Sequence, residues 1–404
     1  MSRDPARRAA AAEVLAQAPF HEVLARLRRG PLFSDEAPKG VRHASQLFDG
    51  VEYHFSVVVP DSYRADERIS ARIMLHGGVS TDDRRKGSQG AIDNLRRSSR
   101  VTILPSAWRE RPWWHLAQVE SLRLLVREVR REYNIDENRV HIAGISDGGT
   151  GAYFVAMKDP TPWSAFLPLI GHPAVLRGAT REPLHLVNLR ARAFFAVNTG
   201  KDPLYPHSRI APYIRTLRDG GVVVEYHPEL DFGHDTGWWP RQNENMNAFL
   251  EAHPRDPHPP SVEWATESPG VGARLHWLVI RELGHVANET PLLDWNEHDG
   301  RALFARDGEP GIARATRAGN ALRLETRGIR RLELLLAPTV IDFEREVEVV
   351  VNGRRVFRGP VRPSVSTLLH WFRQDLDRTM LYGAALDVDL ASGSVTPVDG
   401  GAPG

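Results

Sequence analysis

Three residues of this chain, Ser146, Asp202 and His234, have the types and the order needed for nucleophilic catalysis. A serine hydroxyl near its free pKa is a poor nucleophile; it needs an imidazole base, and the imidazole needs a carboxylate to fix its tautomer. Ser146 lies in Gly144-Ile145-Ser146-Asp147-Gly148-Gly149. A bare G-x-S-x-G is weak evidence, because glycine and serine are common in turns. Its flanks make it stronger: Arg139-Val140-His141-Ile142-Ala143 predicts a buried strand and Thr150 to Met157 a helix, the context of a serine held at a sharp strand-to-helix turn. Asp202 follows a predicted strand at 193–198, and His234 follows the last strand of this half of the chain, within Asp231-Phe232-Gly233-His234-Asp235. Taken singly, Asp202 could be a turn or cap residue and His234 an ordinary loop histidine. Three residue types in the right order, each just past a predicted strand, favour a triad, with Asp231 and Asp235 as reserve acids.

Acyl transfer also needs backbone N–H donors where the oxyanion develops. Asp147, just after the serine, supplies one, and His76-Gly77-Gly78-Val79, at the end of an early strand, offers the Gly78 or Val79 amide as the second. Asp147 would also be a favourable anion at a helix N-terminus. The plain alternative for the glycines is a simple turn. Trp113-Trp114 and Trp238-Trp239 flank these loops, and with His76 and Tyr205 they are candidates for the substrate wall. The competing expectation for the tryptophans is packing. Since His234 must be neutral to act as base, activity should fall in acid.

Short apolar strands alternating with amphipathic helices must position these loops. Strands are predicted at 51–59, 72–78, 101–105, 139–143, 166–171, 193–198 and 222–226, with helices at 116–133, 208–218 and 244–252. This is an α/β pattern, a mostly parallel sheet with helices on both faces and its ligand site at the carboxyl ends of the strands. Residues 1–44 read as an N-terminal helical arm, two short helices broken at Pro19 and packed on the main domain. Residues 45–253 form the catalytic domain, and 254–261 a stiff proline-rich linker. Residues 262–392 predict a smaller antiparallel β-sandwich of alternating strands, including one at 274–280 and a hairpin at Asn352-Gly353, with one helix at 364–376. The glycine- and proline-rich tail, 393–404, is expected to be disordered.

Composition narrows the function classes. With 404 residues, 41% apolar and 25% charged, the chain has the makeup of a globular protein large enough for two domains. A formal net charge of +1 suggests neither a nucleic-acid nor a membrane-surface partner. The absence of cysteine excludes disulfides, thiolate catalysis and Cys-ligated metal. The histidines show no metal-ligand spacing, and neither a Walker loop nor a G-x-G-x-x-G after a strand is present, so no metal and no cofactor are expected. Glu13 interrupts the alanine run behind the basic N-terminus, so no signal peptide is read and a cytoplasmic location is expected. No apolar run approaches a membrane span.

On His76-Gly77-Gly78, the Ser146 turn, Gly200-Lys201-Asp202-Pro203 and Gly233-His234-Asp235, residues 45–253 resemble the α/β-hydrolase superfamily. Within it they resemble esterases related to polyhydroxybutyrate depolymerases and feruloyl esterases, and the catalytic domains of prolyl-oligopeptidase-like peptidases. The resemblance implies cofactor-free hydrolysis through an acyl-enzyme. The last glycine of the HGGG-type oxyanion motif is missing, and the short N-terminal arm cannot be the propeller of prolyl oligopeptidases. The segment between strands 166–171 and 193–198, where many lipases carry a lid, is only about twenty residues long. An open site of this kind suits a small-molecule ester or an exposed polymer end. The expected activity is serine carboxylic-ester hydrolysis; the alternatives are a prolyl-oligopeptidase-like peptidase, or a binding protein whose hydrolase domain is vestigial.

Overall fold

The computed structural model describes residues 18–85, 95–287, 289–290 and 309–398. Two compact units emerge, one spanning Phe33–Asp256 and the other combining residues 18–32 with the described part of 257–398.

The first unit is built on eight strands: β1 (Gly40–Phe48), β2 (Val51–Val59), β3 (Ile69–Leu75), β4 (Arg100–Pro105), β5 (Ile135–Ile145), β6 (Ala165–Leu169), β7 (Ala193–Thr199) and β8 (Val224–Glu229). Their order is β1-β2-β4-β3-β5-β6-β7-β8. Only β2 runs against the others; every pair from β4 to β8 is parallel. Every residue of β6, and all but the first of β4 and β7, is buried, as expected of strands covered on both faces. The predicted strands at 51–59 through 222–226 all appear, with ends shifted by a few residues. Strand β1 was not predicted from its weakly patterned sequence. The missed signal was Asp49-Gly50, whose φ values of 51° and 68° make the two-residue turn that pairs Phe48 with Val51.

Six helices matter to the argument: α1 (Phe20–Arg29), α2 (Leu116–Glu132), α3 (Asp147–Lys158), α4 (His207–Asp219), α5 (Trp239–Ala252) and α6 (Val365–Asp375). Helix α2 buries Leu122, Leu125, Val126 and Val129, the stripe its periodicity predicts. Helix α3 is buried from Gly148 to Lys158, which explains why it lacks a polar face. Helix α5 packs Met246, Phe249 and Leu250 with Leu167, Leu169, Phe195 and Val197 in one core cluster.

The second unit contains two five-stranded sheets. One has the order β10 (Arg274–Leu275), β11 (Leu278–Leu283), β14 (Ile329–Leu336), β17 (Ala384–Asp389), β18 (Ser394–Pro397). The other runs β16 (Arg354–Gly359), β15 (Val347–Val351), β13 (Ala321–Arg327), β12 (Gly311–Ala318), β9 (Ser261–Thr266). Asn352 and Gly353, at φ 49° and 78°, form the predicted hairpin turn. Three expectations change. The strand predicted at 274–280 is two strands, because His276 at φ 51° turns the chain back so that Leu275 pairs with Leu278. Part of the tail expected to be disordered pairs as β18 with β17, and 399–404 lie outside the described residues. The stretch expected as one N-terminal arm divides: residues 33–44 belong to the first unit, where β1 begins at Gly40, whereas α1 belongs to the second and buries Val23 and Leu24 against Val365, Leu368 and Leu369 of α6, their apolar faces excluding water. The helix predicted before Pro19 falls almost wholly on residues that are not described. Among the described residues no helix is long and apolar enough to cross a membrane.

Burial of His141 on β5 generates a pH dependence. The side chain accepts a hydrogen bond from Arg72 Nε at 3.2 Å. Burial, helped by Arg72 and Arg100, holds its pKa well below the ordinary 6.5. Its ring therefore stays neutral in the folded protein, whereas the unfolded chain takes up a proton below about pH 6.5. The unfolded state then binds more protons, so this stabilisation is complete above about pH 6.5 and is lost as pH falls. Burial pushes His185 in the same direction, down to about 3. The melting temperature should fall between about pH 6.5 and 5, above the range of ordinary carboxylates, and should fall less in His141→Gln. Identical slopes for the two proteins would contradict this assignment.

Candidate active site

The chain turns sharply between β5 and α3, and Ser146 sits at the turn with φ 56° and ψ −118°. That conformation costs a non-glycine residue about 1–3 kcal/mol and persists only where its surroundings enforce it. Here the surroundings are backbone. A Cβ on Gly144 would lie 2.1 Å from the Gly148 carbonyl oxygen, and one on Gly148 would lie 2.1 Å from that of Leu75. The two glycines therefore let β5, α3 and the end of β3 meet. The Ser146 N–H donates to the Leu169 carbonyl at 3.0 Å, and the Ser146 carbonyl accepts from Thr150 at 3.0 Å, which pins the turn to β6 and to its own helix.

The structure brings the three predicted residues together. His234 Nε2 lies 2.8 Å from Ser146 Oγ, and His234 Nδ1 lies 2.7 Å from Asp202 Oδ2. The Asp202 side chain is fully buried, and its second oxygen accepts the Leu204 and Tyr205 N–H groups at 2.7 and 2.9 Å. With both oxygens engaged, the carboxylate is fixed and its burial is compensated. The loops carrying Asp202 and His234 are cross-linked: Thr199 Oγ1 donates to the Gly233 carbonyl at 2.7 Å and the Lys201 N–H to that of Phe232 at 2.9 Å. The reserve acids are engaged elsewhere. Asp231 faces Arg241 at 3.5 Å, and Asp235 accepts the Gly237 N–H at 2.8 Å.

On the other side of Ser146 runs the loop that follows β3. A Cβ on Gly77 would come within 2.9 Å of Ser146 Cβ, so a side chain there would displace Ser146. Gly78 follows with φ 68°. The Val79 N–H donates to Asp147 Oδ2 at 3.0 Å, which commits it away from a developing oxyanion. Among the described residues no cluster of three or more His, Asp or Glu side chains is placed to hold a metal ion.

Of the expected substrate-wall residues, Trp113 and Trp238 are buried and bind backbone, whereas His76 binds backbone while half-buried. His76 Nε2 accepts the Ala107 N–H at 3.0 Å, and its Nδ1 lies 2.9 Å from the Gly77 carbonyl. Trp113 is fully buried, donates Nε1–H to the His76 carbonyl at 2.8 Å and meets the His76 ring edge-on. Trp238 is likewise buried, donates to the Asp235 carbonyl at 2.8 Å and stacks with the half-buried Trp239. Trp239 also lies against the core cluster under α5. Trp114 is half-buried, with no polar contact described. Tyr205 lies beside His234, the two rings edge-on with centroids 5.8 Å apart. Two neighbours were missed. His172 contacts the Tyr205 ring at 5.5 Å and the Tyr213 ring at 5.0 Å, and burial lowers its pKa. His172 lies just past the carboxyl end of β6, which is the signal that could have flagged it.

Removing a fully buried tryptophan leaves a cavity, so Trp238→Ala should lose about 3–5 kcal/mol of stability. Any Michaelis constant measured on the remaining folded protein should hold within about twofold. A raised Michaelis constant with unchanged melting would instead return Trp238 to the substrate wall.

No family model and no curated protein matches the chain. Solved structures similar to it include a thermostable esterase, at 20% identity and a TM-score of 0.44, covering 53% of this chain and 63% of that one. Thermogutta terrifontis esterase 2 phosphonylated by cyclosarin overlaps at 16% identity and a TM-score of 0.44, covering 54% of this chain and 95% of that one. The butyrate-bound Est2 from the same organism overlaps at 16% identity and a TM-score of 0.43, covering 56% and 97%. The chain thus spans less than two thirds of the first of these proteins and nearly all of the other two. In strand order, in the single antiparallel strand β2 and in the strained turn that bears Ser146, residues 33–256 have the α/β-hydrolase architecture.

Proposed function

We propose that the protein is a serine hydrolase that cleaves carboxylic esters through an acyl-enzyme. The observation that carries this reading is the unbroken relay from Asp202 through His234 to Ser146, with contacts of 2.7 and 2.8 Å at a strained strand-to-helix turn. Asp202 accepts the Nδ1–H of neutral His234, which leaves the Nε2 lone pair aimed at the Ser146 hydroxyl. As Ser146 Oγ attacks the acyl carbon, His234 takes its proton, and the charge on the imidazolium is balanced by the buried Asp202 carboxylate. The carbonyl oxygen becomes an oxyanion, held by the Asp147 N–H and by a backbone donor of the loop that follows β3. His234 then gives its proton to the departing alcohol, and the C–O bond of the ester breaks. Water, deprotonated by the same imidazole, releases the acid and restores Ser146.

The short connection between β6 and β7 supports an open site, suited to a small ester or an exposed polymer end rather than to a lipid interface. We read the two five-stranded sheets of the second unit as the faces of a β-sandwich, since each carries a buried apolar row such as Val347, Val349 and Val351, or Leu332, Leu334 and Leu336.

A panel of p-nitrophenyl acetate, butyrate and octanoate, methyl ferulate and a glycyl-prolyl anilide should show ester turnover by the wild type. Ser146→Ala should reduce kcat by at least about 10⁴-fold while leaving the melting temperature in place. Appreciable ester cleavage by Ser146→Ala, or cleavage of the anilide alone, would overturn the reading.

A further inference from the structure

Away from Ser146, the sheet of the first unit carries two neighbouring arginines with no carboxylate at ion-pair distance among the described residues. We propose that Arg72, Arg100 and Thr102 form an anion-binding site, beside α5, that takes the carboxylate or phosphate group of a small molecule. Arg72 on β3 pairs in register with Thr102 on β4 and with His141 on β5, and Arg100 lies two residues before Thr102. Side chains paired across strands, or two apart along one strand, share a face, so all four project from the same side of the sheet. Met74 and Ala143, two residues beyond Arg72 and His141, join the apolar cluster under α5, which puts the four on that side. The face covered by α5 thus turns polar at its β4-β3-β5 end.

Both arginines are oriented by neutral acceptors, which leave their charge in place. Arg72 Nε donates to His141 Nε2 at 3.2 Å, and the Arg72 guanidinium carbon lies 5.8 Å from the centre of the Trp239 ring. Arg100 Nη2 donates to Asn247 Oδ1 of α5 at 2.7 Å, whereas its Nη1 is buried with no hydrogen-bond partner among the described residues. Thr102 is fully buried, and its Oγ1 is equally unpartnered. Burial, with Arg100 nearby, brings the Arg72 pKa down to about 9, and burial lowers that of Arg100 as well. Glu251, the carboxylate whose field reaches Arg100, is exposed and is itself paired with Arg139. Buried donors without partners and two adjacent cations cost free energy that an anion would offset, and a carboxylate or phosphate matches the guanidinium fork. Arg72, Arg100 and Trp239 are only half-buried, so an anion can reach them from solvent.

The full chain and its Arg100→Gln, Thr102→Val and Arg97→Gln variants are titrated at neutral pH with sodium phosphate and, separately, with sodium acetate. Sodium chloride holds the ionic strength constant, and binding heat and melting temperature are read. Arg97, an exposed arginine three residues before Arg100, serves as the control. The wild type should show saturable binding and stabilisation with at least one of the two anions, and which one responds tells a phosphate ligand from a carboxylate. Arg100→Gln should weaken that binding at least about tenfold through loss of a charge-assisted contact, while Arg97→Gln should bind as the wild type does. Thr102→Val keeps the shape and the charge but removes one donor, so it should weaken binding about three- to tenfold. It carries the test if Arg100→Gln does not fold. Binding unchanged in either site variant, a loss in Arg97→Gln as large as in Arg100→Gln, or no saturable response to either anion would overturn the proposal.

Discussion

The backbone of Ser146 cannot hold its conformation unless three other backbones approach it closely. At φ 56° and ψ −118° the residue is strained, and relief is blocked by β6 through Leu169, by α3 through Thr150 and by the end of β3 through Gly148. Each contact requires a missing side chain or a main-chain hydrogen bond, so the turn is specified by glycines rather than by polar groups. Burial of β6 and α3 supplies the rigidity, since a buried helix without a polar face has no alternative place to go.

From that turn the rest of the site follows by short steps. The parallel sheet brings the carboxyl ends of β5, β7 and β8 to one edge, with β6 between β5 and β7, and hydrogen bonds between the last two loops hold Asp202 and His234 in register with Ser146. Asp202 is buried but satisfied at both oxygens, so it orients the imidazole without being free to rotate. On the opposite side, a layer of tryptophan and histidine secures the loop that approaches Ser146. Trp113 and Trp238, both buried and bonded to backbone carbonyls, brace these loops.

Much of this was legible in the sequence because it is local. Strand, glycine turn and helix occupy neighbouring positions, and the order Ser, Asp, His with each residue just past a predicted strand singles out the three side chains that the structure brings into contact. What escaped depends on contacts between distant segments. Whether Trp113 and Trp238 face a substrate or a core is settled by burial, which a dipeptide of tryptophans does not encode. The commitment of the Val79 N–H to Asp147 joins residues 68 apart, and no spacing rule reveals it. The association of α1 with α6 joins the two ends of the chain. Strand β1 escaped for a different reason: its own pattern is weak, and its Asp49-Gly50 turn is informative only once β2 is seen as its partner.

The central claim is that Ser146 becomes acylated. Mixing the protein with a slowly released p-nitrophenyl ester, quenching in acid and measuring intact and peptide masses tests it directly. The account predicts one acyl group per chain, located on the peptide containing Ser146 and formed with a burst of one equivalent of p-nitrophenol. It also predicts no adduct in Ser146→Ala. An active protein that accumulates no adduct under burst conditions, or carries the acyl group on another residue, would contradict it.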